Sequence, residues 1–195
     1  RVTHAIREGQ ISNIRKINIS GMEYTKDDVI RRELLVQPGE VYNTVKLRQS
    51  KQILDNTRFF MPGSVEITPE DTGIPGTKDI NVRVTEGKTG SFQVGAAFTS
   101  VENLFGYLSF TESNFDINNW TRFPPRGGGQ KFNFNLRYGT RTTDFSMGFT
   151  EPWFLGKRLA LGGEIFWREQ LFLSNEYSQR MAGGALWLRR PINDT

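Results

Sequence analysis

From Ser91 onward the sequence keeps a period of two, and that alternation limits what the chain can become. Phe92, Val94, Ala96 and Phe98 interleave with Ser91, Gln93, Gly95, Ala97 and Thr99. Leu104, Leu108 and Phe110 interleave with Tyr107, Ser109 and Thr111. The clearest stretch sets Phe132, Phe134, Leu136 and Tyr138 against Lys131, Asn133, Asn135 and Arg137. Phe145, Met147 and Phe149 continue the pattern, followed by Leu159, Leu161, Ile165 and Trp167. Successive side chains of a strand point to opposite faces, so each stretch reads as a strand with one apolar and one polar face. In 181–189 the pair Leu186 and Leu188 competes with Ala185 and Trp187, and the apolar face stays open. The expectation is about six strands of about nine residues, the length that crosses a bilayer at the tilt of a barrel.

Composition agrees with strands and disfavours a membrane helix. Only 36% of residues are hydrophobic, and no run approaches the roughly 18 apolar residues that a spanning helix needs. Barrel strands escape this test because their alternation averages to a polar composition. Lys131, Arg137, Glu164 and Arg168 on the polar faces suit a water-filled lumen. Trp120, Phe123, Trp153, Phe154 and Trp167 gather near strand ends, as an interfacial aromatic girdle requires. A soluble half-buried sandwich has the same alternation and stands as the alternative. With no Cys, disulfide scaffolds and cysteine metal sites are excluded. The 25 basic residues interleave with 21 acidic ones, so the net charge of +4 describes a mixed, solvated surface and no nucleic-acid partner is expected. The opening Arg1-Val2-Thr3-His4 has no apolar core, so no signal peptide is expected in this sequence.

The first half mixes periods. Residues 10–88 are expected to form a βααββ domain, with 1–9 a flexible start or the end of a preceding domain and 89–195 the barrel strands. Arg15 to Ile19 alternate as a strand that ends at Ser20-Gly21. Thr25 offers an N-cap with Asp28 three residues on, and Val29, Ile30 and Leu34 follow at helical spacing up to Pro38-Gly39. Asn43 or Thr44 caps a second helix carrying Val45, Leu47, Leu54 and the end pair Phe59-Phe60. Val65 to Ile67 form a short strand, a loop runs from Pro69 to Thr77, and Ile80 to Val84 form the last strand. Two helices on one face of a three-stranded sheet is an α+β layer arrangement.

Several motifs resemble chemical sites and fail on context. Asp71-Thr72-Gly73 follows Thr68-Pro69-Glu70, whereas an aspartic dyad needs an apolar strand, so a turn is expected. Gly127-Gly128-Gly129-Gln130-Lys131 lacks the Gly-Lys-Ser/Thr ending of a phosphate loop. His4 is the sole histidine, which disfavours a triad or a histidine metal site. Asn119-Trp120-Thr121 and Asn193-Asp194-Thr195 fit the glycosylation acceptor pattern, and both matches are read as incidental. Glu164 and Glu169 read as ordinary strand and loop charges. No catalytic residue, cofactor or metal is expected.

The residues themselves resemble a known family. Arg15-Lys16-Ile17, Gly21, 29–34 (VIRREL), Pro38-Gly39-Glu40 and Phe59-Phe60 before Val65 resemble a POTRA domain. The joint at 84–92 (VTEGKTGSF), with Glu86, Thr89 and Gly90, resembles the passage from the last POTRA domain into the first barrel strand of BamA-like assembly factors. Asn114-Phe115, Glu151-Pro152-Trp153-Phe154 with Leu161-Gly162-Gly163, and Pro191-Ile192-Asn193 resemble the family's periplasmic turns, in the right order. The family has several POTRA domains and a sixteen-stranded barrel, so an incomplete barrel is expected, and residues 116–129 form a longer second turn than is usual. The resemblance implies an outer-membrane insertase with its POTRA domain in the periplasm. Its implied partners are periplasmic lipoprotein subunits, unfolded barrel clients and outer-membrane lipid. Arg31, Arg32 and Glu33 are the candidates for partner docking, against a plain solvated face as the simpler reading, and a POTRA sheet edge is the second candidate surface. The first barrel strand, with Phe92, Val94, Gly95, Ala96, Ala97 and Phe98, is the candidate lateral-gate strand. Its small residues are expected to pair weakly, leaving an edge that templates client strands. Rival readings are a secretion-type polypeptide transporter, a passive porin and a soluble RNA-binding module. The last lacks a Gly-X-X-Gly clamp and clustered stacking aromatics.

Overall fold

A computed structural model describes residues 11–100, 103–119, 121–171 and 177–190. The chain divides into two compact units that meet between Gly87 and Lys88.

The first unit runs β1 (Asn13–Ser20), α1 (Asp27–Arg31), α2 (Thr44–Thr57), β2 (Glu66–Asp71) and β3 (Thr77–Arg83). The sheet order is β1-β3-β2, with β3 parallel to β1 and antiparallel to β2. A parallel pair needs a crossover connection, which the two helices supply. Ile14, Ile17, Ile80 and Val82 face the helices and bury against Val29, Ile30, Leu47 and Leu54, with Phe59, Phe60 and Val65 closing the core. The outer face of the sheet is polar: Arg15 forks onto Asp79 at 2.9 and 2.5 Å, and Asn18 donates to Asn81 at 2.9 Å. The Arg15 guanidinium holds the Asp79 carboxyl below its ordinary value.

Three local expectations change. Helix α1 is short and begins after Lys26, with no side-chain cap. Thr25 does not cap it: its hydroxyl is turned to the Glu86 carboxylate, which also takes its N–H. After Arg31 the turn tightens, the Leu35 N–H donates to Ser50 Oγ, and Leu34 reaches the core from outside the helix. Helix α2 is capped by Asn43, whose Oδ1 accepts from the N–H groups of Val45 and Lys46. Val45 itself points outward, and Phe59-Phe60 lie beyond the helix, after Arg58 at φ 60°. Finally, β2 continues through Pro69 to Asp71, so the expected loop shrinks to residues 72–76. Proline fits there because β2 is an edge of the sheet, where a missing donor deprives no neighbour.

The second unit is an antiparallel meander of β4 (Gly90–Thr99), β5 (Asn103–Phe115), β6 (Gln130–Gly139), β7 (Thr142–Glu151), β8 (Ala160–Gln170) and β9 (Gln179–Arg189), each strand beside the next. All six strands expected from the alternation are present. The ambiguous last strand is settled by its register. Leu186 and Leu188 lie opposite Gly163 and Leu161 on the apolar face, and Trp187 lies opposite Gly162 on the other. Gly162 makes room for this, since a Cβ there would come within 2.2 Å of the indole ring.

Gly21 shows how tightly the first unit is closed. It has φ 90°, and a Cβ would stand 1.9 Å from the Val84 carbonyl oxygen, whereas Gly39, at φ 92°, has nothing within 4 Å. Gly39→Ala should cost only the left-handed backbone strain, about 1–2 kcal/mol. Gly21→Ala should cost clearly more, because backbone must move. Urea unfolding of the two variants followed by circular dichroism checks this order; equal losses would contradict it.

Candidate functional site: the open edge of β4 and the base of the sheet

Strand register sorts the second unit into two chemically different faces. Across one face run Phe92, Phe110, Phe134, Met147 and Ile165, and beside them Val94, Leu108, Leu136, Phe145 and Trp167. The opposite face carries Gln93, Ser109, Asn135 and Ser146, and beside them Gly95, Tyr107, Arg137, Asp144 and Arg168. Its polar groups satisfy one another: Arg168 pairs with Asp144 at 2.7 Å, Ser109 donates to Asn135 at 2.7 Å, and Arg137 stacks over the Phe105 ring at 5.1 Å. On the apolar face, Phe92, Val94 and Phe98 are 63%, 71% and 73% exposed. Nothing among the described residues covers them. A soluble sandwich would bury such a face against a second sheet, whereas a bilayer solvates it.

The candidate gate residues divide between these faces. Phe92, Val94, Ala96 and Phe98 lie on the apolar side, Gly95 and Ala97 on the polar side. Strand β4 pairs with β5 over ten residues without a break, and its other edge has no partner among the described residues. The stretch Gly95-Ala96-Ala97 is not bare, because the Tyr107 ring lies across Gly95, where a Cβ would meet Oη at 2.6 Å. An aromatic over a strand glycine restores the packing that the glycine lacks.

The joint residues are held in two separate places. In the first unit, Glu86 accepts the N–H of Tyr24 at 3.1 Å and of Thr25 at 2.6 Å. Partial burial disfavours its charge, but hydrogen bonds from the Thr25 hydroxyl and from the Thr25, Tyr24 and Glu23 backbone outweigh this and keep the carboxyl below its ordinary value. In the second unit, the Thr89 carbonyl accepts the Ser113 N–H at 3.1 Å, and Gly90 lies opposite Glu112, whose Oε2 would be 2.5 Å from a Cβ at Gly90.

Alternation did not foresee the polar chain at this end of the sheet. Glu112 continues the Leu108–Phe110 side of β5, yet it is 1% exposed. Its Oε1 accepts the Asn114 N–H at 2.9 Å, and Asn114 Oδ1 accepts the Gly129 N–H at 2.8 Å. Gln130 accepts from the Ile117 N–H and donates to Glu151, which takes the Trp153 N–H. A carboxylate on an apolar face was the visible signal. Asn114 and Gln130 tie the 116–129 loop to the strand ends.

The remaining candidates lie apart. Arg31 ends α1 and pairs with Asp27 one turn back at 2.8 Å, with Arg32 as its C-cap and Glu33 in the following turn. Strand β1 is one sheet edge, and its start is covered by residues 39–42, since Ile14 N–H donates to the Glu40 carbonyl and Tyr42 N–H to that of Ser12. The other edge, β2, carries Pro69. Trp153 and Phe154 sit in the β7–β8 turn, where Arg158 lies over the Trp153 ring at 5.7 Å, and Trp167 lies toward the opposite end of β8. Trp120, His4 and the 191–193 turn lie outside the described residues. Among the described residues no three His, Asp or Glu side chains gather as a metal site would require.

Residues 12–87 match the POTRA family (surface antigen variable number repeat), and residues 125–195 match the Omp85 superfamily domain. A putative outer membrane protein assembly factor of Treponema pallidum is 30% identical over 80% of the chain, and the outer membrane protein assembly factor BamA of Neisseria meningitidis is 24% identical over 97%. The chain spans only 18% and 23% of the lengths of these two relatives. The crystal structure of BamA from Haemophilus ducreyi lacking POTRA domains 1-3 superposes with a TM-score of 0.71 at 26% identity, covering 95% of this chain and 34% of that one. CdiB from Acinetobacter baumannii, at 16% identity and a TM-score of 0.56 over 95% of this chain and 35% of that one, shares the fold alone.

A POTRA domain followed by strands with one lipid-facing and one polar face defines the class: a periplasmic domain joined to an outer-membrane barrel. Within that class, the chain is similar to BamA-type outer membrane protein assembly factors, with its first part matching the POTRA model and its last part the Omp85 model.

Two outcomes follow from this geometry. The folded-state lowering at Glu86 means that its stabilisation is present above the ordinary glutamate value of about 4.3 and fades as pH falls through the lowered one. Glu86→Gln should therefore flatten the acid limb of the first unit's pH–stability curve and cost about 1–2 kcal/mol at neutral pH, read by denaturant melts at several pH values. Gly95→Val should force the Tyr107 ring away and lower the yield of folded, heat-modifiable barrel on gels, with Gly106→Ala, whose Cβ would meet nothing nearer than 3.8 Å, as the mild control.

Proposed function

We propose that this chain is the POTRA-to-barrel region of a machine that inserts β-barrel proteins into the outer membrane, and that β4 forms one side of its lateral gate. The observation that carries this reading is the open edge of β4. It is a ten-residue strand, fully paired on one side and without a partner on the other among the described residues, with an apolar side chain or alanine at every second position from Phe92. An unpaired N–H or C=O in hydrocarbon costs several kcal/mol, so an incoming strand that satisfies the edge is strongly favoured. The client's own hydrogen bonds and apolar burial supply the driving energy, and no catalytic residue or nucleotide is needed. The relatives named as outer membrane protein assembly factors support the same reading. The POTRA unit would receive periplasmic partner subunits and unfolded clients, with Arg31, Arg32 and Glu33 as a docking surface.

Cysteine placed at Gln93 or Ser91 in the complete protein should form disulfide cross-links to a cysteine in the terminal strand of a nascent barrel client in membranes. Cross-links to secreted polypeptides alone would assign the chain to a secretion transporter instead. Absence of both would remove the gate assignment.

A further inference from the structure

Residues 116–129 do more than connect β5 to β6. The base of this loop is fixed: the Asp116 N–H donates to the Pro125 carbonyl at 3.1 Å, the Gly127 N–H to the Asn114 carbonyl at 2.6 Å, and the Gly129 N–H to Asn114 Oδ1 at 2.8 Å. Pro125 and Gly127 are buried, and a Cβ at Gly128 would lie 2.8 Å from the Phe115 carbonyl oxygen. Beyond that base, Phe123 stands 87% exposed next to Arg122. Between the loop and the outer face of β4 and β5 lies a recess of about 350 Å³. Its walls are Phe92, Phe110, Phe123 and Pro124, and Lys88 and Arg126 also line it, with Glu112 as the single carboxylate. Glu112 is already engaged with the Asn114 N–H.

We propose that this recess is a seat for one anionic phospholipid of the periplasmic leaflet, with its phosphate at Lys88 and Arg126 and an acyl chain along Phe92 and Phe110. Two observations lead to this occupant. The apolar wall is continuous with the lipid-facing rows of the sheet, because Phe92 and Phe110 begin the row that runs through Phe134 and Met147. The cations sit where β4 begins, at the level where the strands leave hydrocarbon for headgroups. A cation beside an apolar wall at that depth matches a phosphate on an acyl chain, and a soluble anion would gain nothing from Phe92 or Phe123. The seated lipid would bridge the loop and the first residues of β4, so lipid charge would affect how readily that end of the strand frays. The site depends on the strands facing lipid and stands whether or not the chain assembles clients.

The test uses the complete protein in nanodiscs of phosphatidylcholine with or without phosphatidylglycerol. A photoreactive benzoyl-phenylalanine replacing Phe123 should yield a phosphatidylglycerol adduct by mass spectrometry, and Lys88→Glu should lower that adduct at least about fivefold. In the unmodified protein, hydrogen exchange over residues 89–95 should slow when phosphatidylglycerol is present, and Lys88→Glu should remove the difference. An adduct to phosphatidylcholine in equal measure, an adduct to protein only, or exchange indifferent to lipid charge would overturn the proposal. Lys88 is exposed, so its substitution should leave the fold intact. Client cross-linking from β4 is read separately, so loss of the lipid site and loss of the insertase reading give different results.

Discussion

The antiparallel hydrogen-bond ladder from β4 to β9 is the constraint on which the second unit depends. In hydrocarbon no water can satisfy a backbone N–H or C=O, so each strand must find its donors and acceptors in a neighbour. Five consecutive ladders do this from β4 to β9. Once the register is set, so is the face of every side chain, because a slip of one residue would send Phe134 and Leu136 into the polar face and Arg137 into lipid. The Tyr107 ring over Gly95 and the Trp187 ring over Gly162 lock that register locally. The outer edges of β4 and β9 have no partner among the described residues, and there the same rule calls for a further strand.

The first unit follows a different logic. It is a small α+β layer whose core is built by two short helices against the inner face of β1 and β3. Its termination is electrostatic as much as apolar. Glu86 draws the Tyr24 and Thr25 amides onto the last segment of the domain, and Gly21 lets that segment approach with no Cβ in the way. The Thr25 hydroxyl is directed to the same carboxylate, so Thr25 gives α1 no cap and the helix begins after Lys26. In the second unit the buried Glu112 accepts the Asn114 N–H, and Asn114 and Gln130 in turn hold the two ends of the 116–129 loop.

Most of the architecture was legible from periodicity. The change from mixed spacing to a strict period of two announced two kinds of structure, and Phe132 to Tyr138 showed which face met lipid. Reading stopped where local pattern was outweighed by distant partners. Thr25 has the composition of a cap but is claimed by Glu86, which lies far along the chain. Pro69 looks like a strand terminator, yet it is tolerated because β2 is at the sheet's edge, a fact of topology that no window of sequence contains. Leu186 and Trp187 have equal claims to the apolar face until β8 fixes their partners.

By itself the sequence determined the division into a βααββ domain and six alternating strands, because side-chain period follows directly from backbone geometry. It also determined the family resemblance, which resides in the order of short motifs. Only the tertiary structure decided that β1 and β2 are the edges of the first sheet, that β4 pairs with β5 over its whole length, and that Glu112 is buried at the sheet's base beside a recess of about 350 Å³. Those facts depend on which strands meet and in what register, and pairing between distant segments is set by the whole packed arrangement.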